Sequence, residues 1–166
     1  MAIVQTNINY TYEIMRSDLY QLNYTYPFLQ TQSIGYSVLG KTLPDVRLGR
    51  GQNHVFYSAS FHANEWITSV LLMKFIEDYA VSYVRDFRLL GYRVRDLFNF
   101  ASIYIMPMVN PDGVDLLTDY YSPTSAIYHS FQNIANNFPN IPFPSGWKAN
   151  FNGVDLENLQ PVCKAL

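Results

Sequence analysis

The chain is poor in the residues that usually announce a redox or metal centre. It has a single cysteine, Cys163, among 166 residues, and only three histidines, His54, His62 and His129. One thiol can neither close an internal disulfide nor build a thiolate cluster, so any metal must be held by histidine and carboxylate. Charge is also sparse and nearly balanced, with 11 Lys+Arg against 13 Asp+Glu and a formal net charge of -2. Without a basic excess there is no electrostatic basis for a nucleic-acid partner. No stretch approaches the roughly 18 uninterrupted apolar residues that a membrane span requires. The N-terminal "MAIVQTNINYTYE" lacks a basic segment followed by an apolar run of signal-peptide length, so the expectation is a soluble, cytoplasmic chain with no membrane partner. Internal repeats are missing too, and the length suits one hydrophobic core: residues 1–166 read as a single domain, or part of one.

What the chain does have is aromatic residues, 14 Tyr and 11 Phe dispersed along its length, read mainly as core and groove walls. Residues Ile14, Leu19, Leu22 and Tyr26 recur at near-helical spacing before Pro27. "TQSIGYSVLG" and "LPDVRLGRG" read as a hairpin or as neighbouring strands. "HVFYSASF" is apolar enough for a buried central strand, and it is followed by a helix with an apolar stripe through Ile67, Leu71, Leu72, Phe75, Ile76 and Tyr79. A second apolar run, "ASIYIMPMVN", stops at the turn signal Asn110-Pro111-Asp112-Gly113. From Tyr120 to Gly146 periodicity fades, and a long rim loop is expected, in which Tyr120, Tyr121 and Tyr128 either wall a peptide pocket or pack on one another. Trp147 is expected to pack over a core edge. Strands alternating with helices indicate an α/β layered fold.

The chemistry concentrates in "FHANEWIT". His62 and Glu65, three residues apart at a strand-to-helix junction, project from the same side of a turn, so imidazole and carboxylate can converge on one ion. The end of a strand in an open α/β sheet is also where such folds place ligands. A second reading stays open at this point, with His62 a hydrogen-bonded core histidine and Glu65 a first-turn carboxylate favoured by the helix dipole. His54 and His129 read as ordinary strand and loop histidines.

In order along the chain, "SFHANEWIT", "MPMVNPDGVD" and "GWKANFNGVDLENL" resemble the blocks of the zinc carboxypeptidase family, the carboxypeptidase A/T-like metallopeptidases. The wording around "YPFLQTQSIGYSVLGK" and "FHANEWIT" is most like the bacterial branch that cleaves γ-D-glutamyl–diaminopimelate bonds in cell-wall peptides. The resemblance implies an α/β/α sandwich around a mixed, mostly parallel sheet, of which this chain is the N-terminal half. It also implies zinc as cofactor, with His62 and Glu65 as two of its three protein ligands, and hydrolysis of a peptide or amide bond in a peptide substrate, cell-wall-derived in that branch. Two departures qualify this. Asn152 stands where many members carry the Arg that clamps a substrate carboxylate, and Asn158, displaced by one residue, is the match to the family's substrate-contacting Asn. The family's third zinc ligand and general-base Glu would fall beyond Leu166, so no catalytic base is assigned within the chain. A catalytically inactive, truncated remnant that binds peptide or metal weakly therefore remains an alternative to a metallopeptidase, as does a related zinc deacylase or amidohydrolase.

Overall fold

The computed structural model describes residues 2–157; Asn158 and Cys163 lie outside them. The first element is helix α1, Tyr12–Thr25, whose start is set by Thr11: its hydroxyl accepts the Ile14 N–H at 3.3 Å, satisfying one of the orphan donors of a first turn. Met15, Leu19 and Leu22 bury its inner face, and the chain leaves the helix at Tyr26, ahead of Pro27, which disfavours helical geometry in the residue before it. The expected hairpin follows as β1, Gln30–Tyr36, paired antiparallel with β2, Thr42–Gly49.

Next come β3, Asn53–Ser58, a single 3₁₀ turn at Ala63–Glu65, and the long helix α2, Ile67–Arg85. A two-residue hairpin, β4 (Arg88–Leu89) and β5 (Tyr92–Arg93), leads into α3, Val94–Phe100, and β6, Ala101–Met106. The four-stranded sheet has the order β1-β2-β6-β3. It is mixed, as expected of an α/β fold, but the parallel share is small: β6 runs parallel to β3 and antiparallel to β2, and β2 is antiparallel to β1. One sheet face, through Val46, Leu48 and Ile105, packs into the main core with Met15, Leu22, Met73, Ile76 and Phe98 from the helices.

Three sequence expectations are corrected. β3 is an edge strand among the described residues, not a buried central one, and Val55, Phe56 and Tyr57 are 40 %, 57 % and 48 % exposed. Apolar content alone cannot separate the two cases, because a strand's side chains are buried by the elements that cover the two faces of the sheet, and those lie far away in sequence. In α2 the buried stripe runs through Val70, Met73, Ile76, Tyr79 and Ala80, while Ile67 and Leu71 face outward. The helix is uniformly apolar enough that its inner face is chosen by the partners it meets. The supposed rim loop contains helix α5, Ala126–Ala135, started by Ser125, whose hydroxyl accepts the Tyr128 N–H.

The aromatic residues around α5 pack on one another. Phe131 is fully buried, with ring centroids 5.9 Å from Trp147 and 4.9 Å from Phe151, both edge-on. Trp147 and Tyr121 are buried in the same small cluster with Ala63 and Leu116, whereas Tyr120 is half exposed. No helix among the described residues is long and apolar enough to cross a membrane.

The Asn110–Gly113 segment also differs from a plain turn. It opens helix α4, Pro111–Leu117, with Asn110 as N-cap and Pro111 in the first turn, where a missing N–H costs nothing. The two aspartates of α4 tie distant elements together. Asp112 accepts the Ser37 hydroxyl (2.9 Å) and the Leu39 N–H (3.0 Å), while Asp115 accepts the Tyr12 N–H (2.7 Å) and pairs with Lys41.

Candidate metal centre

β3 and β6 continue side by side past the sheet: Ala59 N–H donates to Met106 O, Val109 N–H to Ala59 O, and Asn110 N–H to Ser60 O. Ser60 takes a left-handed φ of 54° and its N–H donates to the Thr68 hydroxyl, which turns the chain sharply towards α2. His62 and Glu65 sit on this bend, at the start and end of the 3₁₀ turn.

Asn110 is the hub that holds the bend. Its Nδ2 faces the carbonyls of Phe61 (3.3 Å), Lys148 (3.2 Å) and Ala149 (3.0 Å), while its Oδ1 accepts the Gly113 N–H at 3.1 Å. Ala63 N–H donates to Lys148 O, and Ala63 packs so closely on α4 that a Cβ at Gly113 would lie 2.7 Å from Ala63 Cβ. Glycine is required there for close approach. The "NPDG" turn signal therefore hides a positioning device, linking the His62 turn, α4 and the Trp147–Asn150 segment.

His62 is buried at 7 % exposure and Glu65 is half exposed. Nδ1 of His62 lies 3.1 Å from Glu65 Oε1; on the other edge of the ring, Nε2 lies 3.3 Å from Asp155 Oδ1 and 3.1 Å from Glu157 Oε2. Burial by itself disfavours an imidazolium here, but the Glu65 hydrogen bond and the charges of Glu65, Asp155 and Glu157 outweigh it and hold the His62 pKa above the ordinary histidine value. Asp155 and Glu157 were not singled out from sequence. The signal was available, since both lie in the "GVDLENL" block, but nothing local says that this block returns to His62.

Two ligands about 2.0–2.2 Å from a tetrahedral ion stand roughly 3.3–3.6 Å apart, within a few tenths of an ångström of the His62–Glu65 separation. The opposite ring nitrogen faces carboxylates, the arrangement that fixes the tautomer of a metal-ligating histidine. The donor pair thus fits zinc. Among the described residues no group of three or more His, Cys, Asp or Glu is placed to hold a metal. The reason is geometric: Glu65 lies on one edge of the imidazole and Asp155 and Glu157 on the other, so they share no common point. His129 is exposed on α5, with Nδ1 3.5 Å from its own helix neighbour Gln132, and His54 packs edge-on against Tyr104 of the sheet, 5.6 Å between centroids. Asn152 is exposed on the turn that follows Asn150, whose side chain accepts its N–H. A cavity of about 190 Å³, lined by Phe138, Ile141, Trp147, Lys148 and Asp155, adjoins the site through Asp155.

The zinc carboxypeptidase family model matches residues 15–158. The chain belongs to the zinc carboxypeptidase family. Its relatives include gamma-D-glutamyl-L-diamino acid endopeptidase 1 of Lysinibacillus sphaericus, 39% identical over 160 residues, covering 96% of this chain and 40% of that protein. YqgT of Bacillus subtilis is 37% identical over 138 residues, covering 82% of this chain and 36% of that protein. This zinc carboxypeptidase chain therefore spans about two fifths of the length of those relatives. Bovine thrombin-activatable fibrinolysis inhibitor, solved with a tick carboxypeptidase inhibitor, shares the fold at TM-score 0.58 and 19% identity, covering 89% of this chain and 38% of the other. A metallo-carboxypeptidase from Burkholderia cenocepacia shares it at TM-score 0.53 and 20% identity, covering 63% of this chain and 28% of the other.

Proposed function

We propose that this chain supplies the first half of a zinc site that hydrolyses γ-D-glutamyl–diamino acid amide bonds in cell-wall-type peptides. The observation that carries the reading is the disposition of His62, with Nδ1 beside Glu65 and Nε2 beside Asp155. His62 and Glu65 would hold the ion. Asp155, with Glu157, would accept the Nε2 proton and keep the Nδ1 lone pair aimed at the metal position. Asn110 and Gly113 would keep the turn that carries the pair in register. When bound, the zinc supplies Lewis acidity to the scissile carbonyl and to a water molecule. Asn152 and Asn158 would contact substrate as neutral amide partners, without the bidentate cationic grip of Arg. The relationship to the Lysinibacillus endopeptidase supports the substrate class.

A second reading rests on the donor count. A catalytic zinc normally takes three protein ligands, and the described residues bring two donors to one point. The isolated 166-residue chain would then bind zinc weakly and turn over no substrate. Titration calorimetry with zinc on the chain, on His62→Ala and on Glu65→Gln tests the site, with binding expected to be lost in both variants. Zinc binding that survives His62→Ala would overturn the assignment. Hydrolysis of a γ-D-glutamyl–diaminopimelate peptide by the isolated chain, abolished by His62→Ala, would overturn the second reading and establish the first.

A further inference from the structure

The β4–β5 hairpin combines three features that cost stability and that the metal site does not use. Its two-residue turn places Leu90 at φ 49° and Gly91 at φ 86°, the type I′ arrangement that favours Asn or Asp at the first position and penalises a side chain such as leucine. Leu90 is also 91% exposed, so the strained residue is an apolar side chain held almost wholly in water. Cross-strand pairing sets Arg88 directly opposite Arg93, a like-charge pair that opposes hairpin formation. Asp86 holds Arg93 through both carboxylate oxygens and Arg88 Nη1 donates to Gly91 O at 2.8 Å, so the arginines are compensated within the hairpin; Leu90, left-handed and almost wholly in water, gains no burial in return, and strain of that kind points to function.

The surroundings define a ligand class. Val84, Phe87 and Tyr92 flank the tip, each more than half exposed. Arg85, Arg88, Arg93 and Arg95, all exposed, lie within five residues of Leu90 along the chain, and Arg95 donates to the Tyr83 and Val84 carbonyls at the end of α2. Ion pairs among the described residues reach Arg93 and Arg95, through Asp86, but not Arg85 or Arg88. Residues 85–96 hold four Arg against two Asp, while the remainder of the chain holds seven basic residues against eleven acidic ones. Positive charge is thus gathered around one apolar projection on an otherwise acidic protein. A leucine tip, aromatic flanks and an arginine collar match the interface of an anionic bilayer, where the apolar tip enters the headgroup boundary and the guanidinium groups meet lipid phosphates.

We propose that the β4–β5 hairpin is an interfacial anchor for an anionic lipid surface. The hairpin follows the C-terminus of α2, whereas the His62–Glu65 turn precedes its N-terminus, so a 19-residue helix of about 28 Å separates them. Docking by the tip keeps the metal pair away from the bilayer.

The test is co-sedimentation of the purified chain with vesicles of phosphatidylcholine alone and of phosphatidylcholine mixed with phosphatidylglycerol. Binding is expected on the mixed vesicles only, and it weakens as salt is raised. Leu90→Asn should lower the partition coefficient by about tenfold, while leaving thermal stability unchanged or higher because asparagine tolerates the left-handed turn. Arg85→Gln with Arg88→Gln should lower binding to a similar extent. The proposal fails if neither vesicle binds the chain, if neutral vesicles bind it equally, or if Leu90→Asn leaves binding intact. It also fails if Leu90→Asn destabilises the fold, which would make Leu90 a packing residue, or if soluble polyphosphate abolishes the Leu90 dependence by competing equally for both proteins. None of these readouts involves zinc or peptide, so failure here leaves the metallopeptidase reading untouched.

Discussion

Replacing Asn110 by alanine should uncouple the candidate metal centre from the fold that positions it. The side chain caps α4 through the Gly113 N–H and turns its amide towards three carbonyls, those of Phe61, Lys148 and Ala149. Loss of an N-cap of this type costs about 1 kcal/mol. An amide NH₂ has two protons, so the three carbonyls share two donors, and losing them inside a residue that is 2 % exposed costs about 0.5–1.5 kcal/mol for each bond. The total expected is about 2–4 kcal/mol. With a urea m-value of about 2 kcal/mol/M, the middle of the range for a small protein, the midpoint should fall by roughly 1–2 M. Asn110→Asp separates the two contributions. It keeps a capping oxygen but turns a carboxylate towards three carbonyls, so it should be at least as destabilising as alanine at neutral pH. Equilibrium urea unfolding followed by far-UV circular dichroism measures both. If Asn110→Ala loses less than about 1 kcal/mol, or if Asn110→Asp is neutral, then Asn110 is a simple helix cap and the hub argument is wrong.

Gly113→Ala should be destabilising by about 1–3 kcal/mol through overpacking against Ala63, and should weaken zinc binding through displacement of the 3₁₀ turn; an unchanged melting temperature would contradict the close approach. Burial raises the Asp45 pKa, against the Gln32 hydrogen bond that lowers it. A carboxyl raised in the folded state contributes stability that is present below the unfolded value of about 4 and is lost as pH rises through the folded value. Asp45→Asn should therefore flatten the fall in stability as pH rises above about 4, with Asp18 and Asp115, which shift in the same direction, contributing to the slope that remains; a pH dependence of the urea midpoint identical in the variant and the parent chain would refute it. Finally, Phe56→Lys on the open edge strand should reduce self-association, because a charge on an exposed edge opposes strand addition; light scattering that is unchanged at high protein concentration would show that β3 is not the adhesive edge.

Much of this molecule is local chemistry and was legible as such. A capping threonine and a proline bracket α1, a glycine-containing turn joins β1 to β2, and His62 and Glu65 meet because three residues of 3₁₀ turn bring them to 3.1 Å. Helix α5 was readable in principle, since Ile127, Phe131 and Ile134 recur at helical spacing after the capping Ser125, but the prolines on both sides of it and the asparagines after it read as loop.

Sequence by itself determined the order α1, β1, β2, β3, α2 and β6, the family blocks and the His62–Glu65 pair, since each depends on residues within a few positions of one another. Tertiary structure alone decided that β3 is an edge strand among the described residues, because a strand's place in the sheet and the cover on its faces come from elements distant in sequence. It also decided that Asn110 is a hub rather than a turn residue, since the carbonyls it meets come from segments 38 to 49 residues away in either direction. The carboxylates on His62 Nε2 depend in the same way on Asp155 and Glu157 returning from some 90 positions later in the chain, a closure that side-chain packing around Ala63, Phe131 and Trp147 establishes and that no spacing rule encodes.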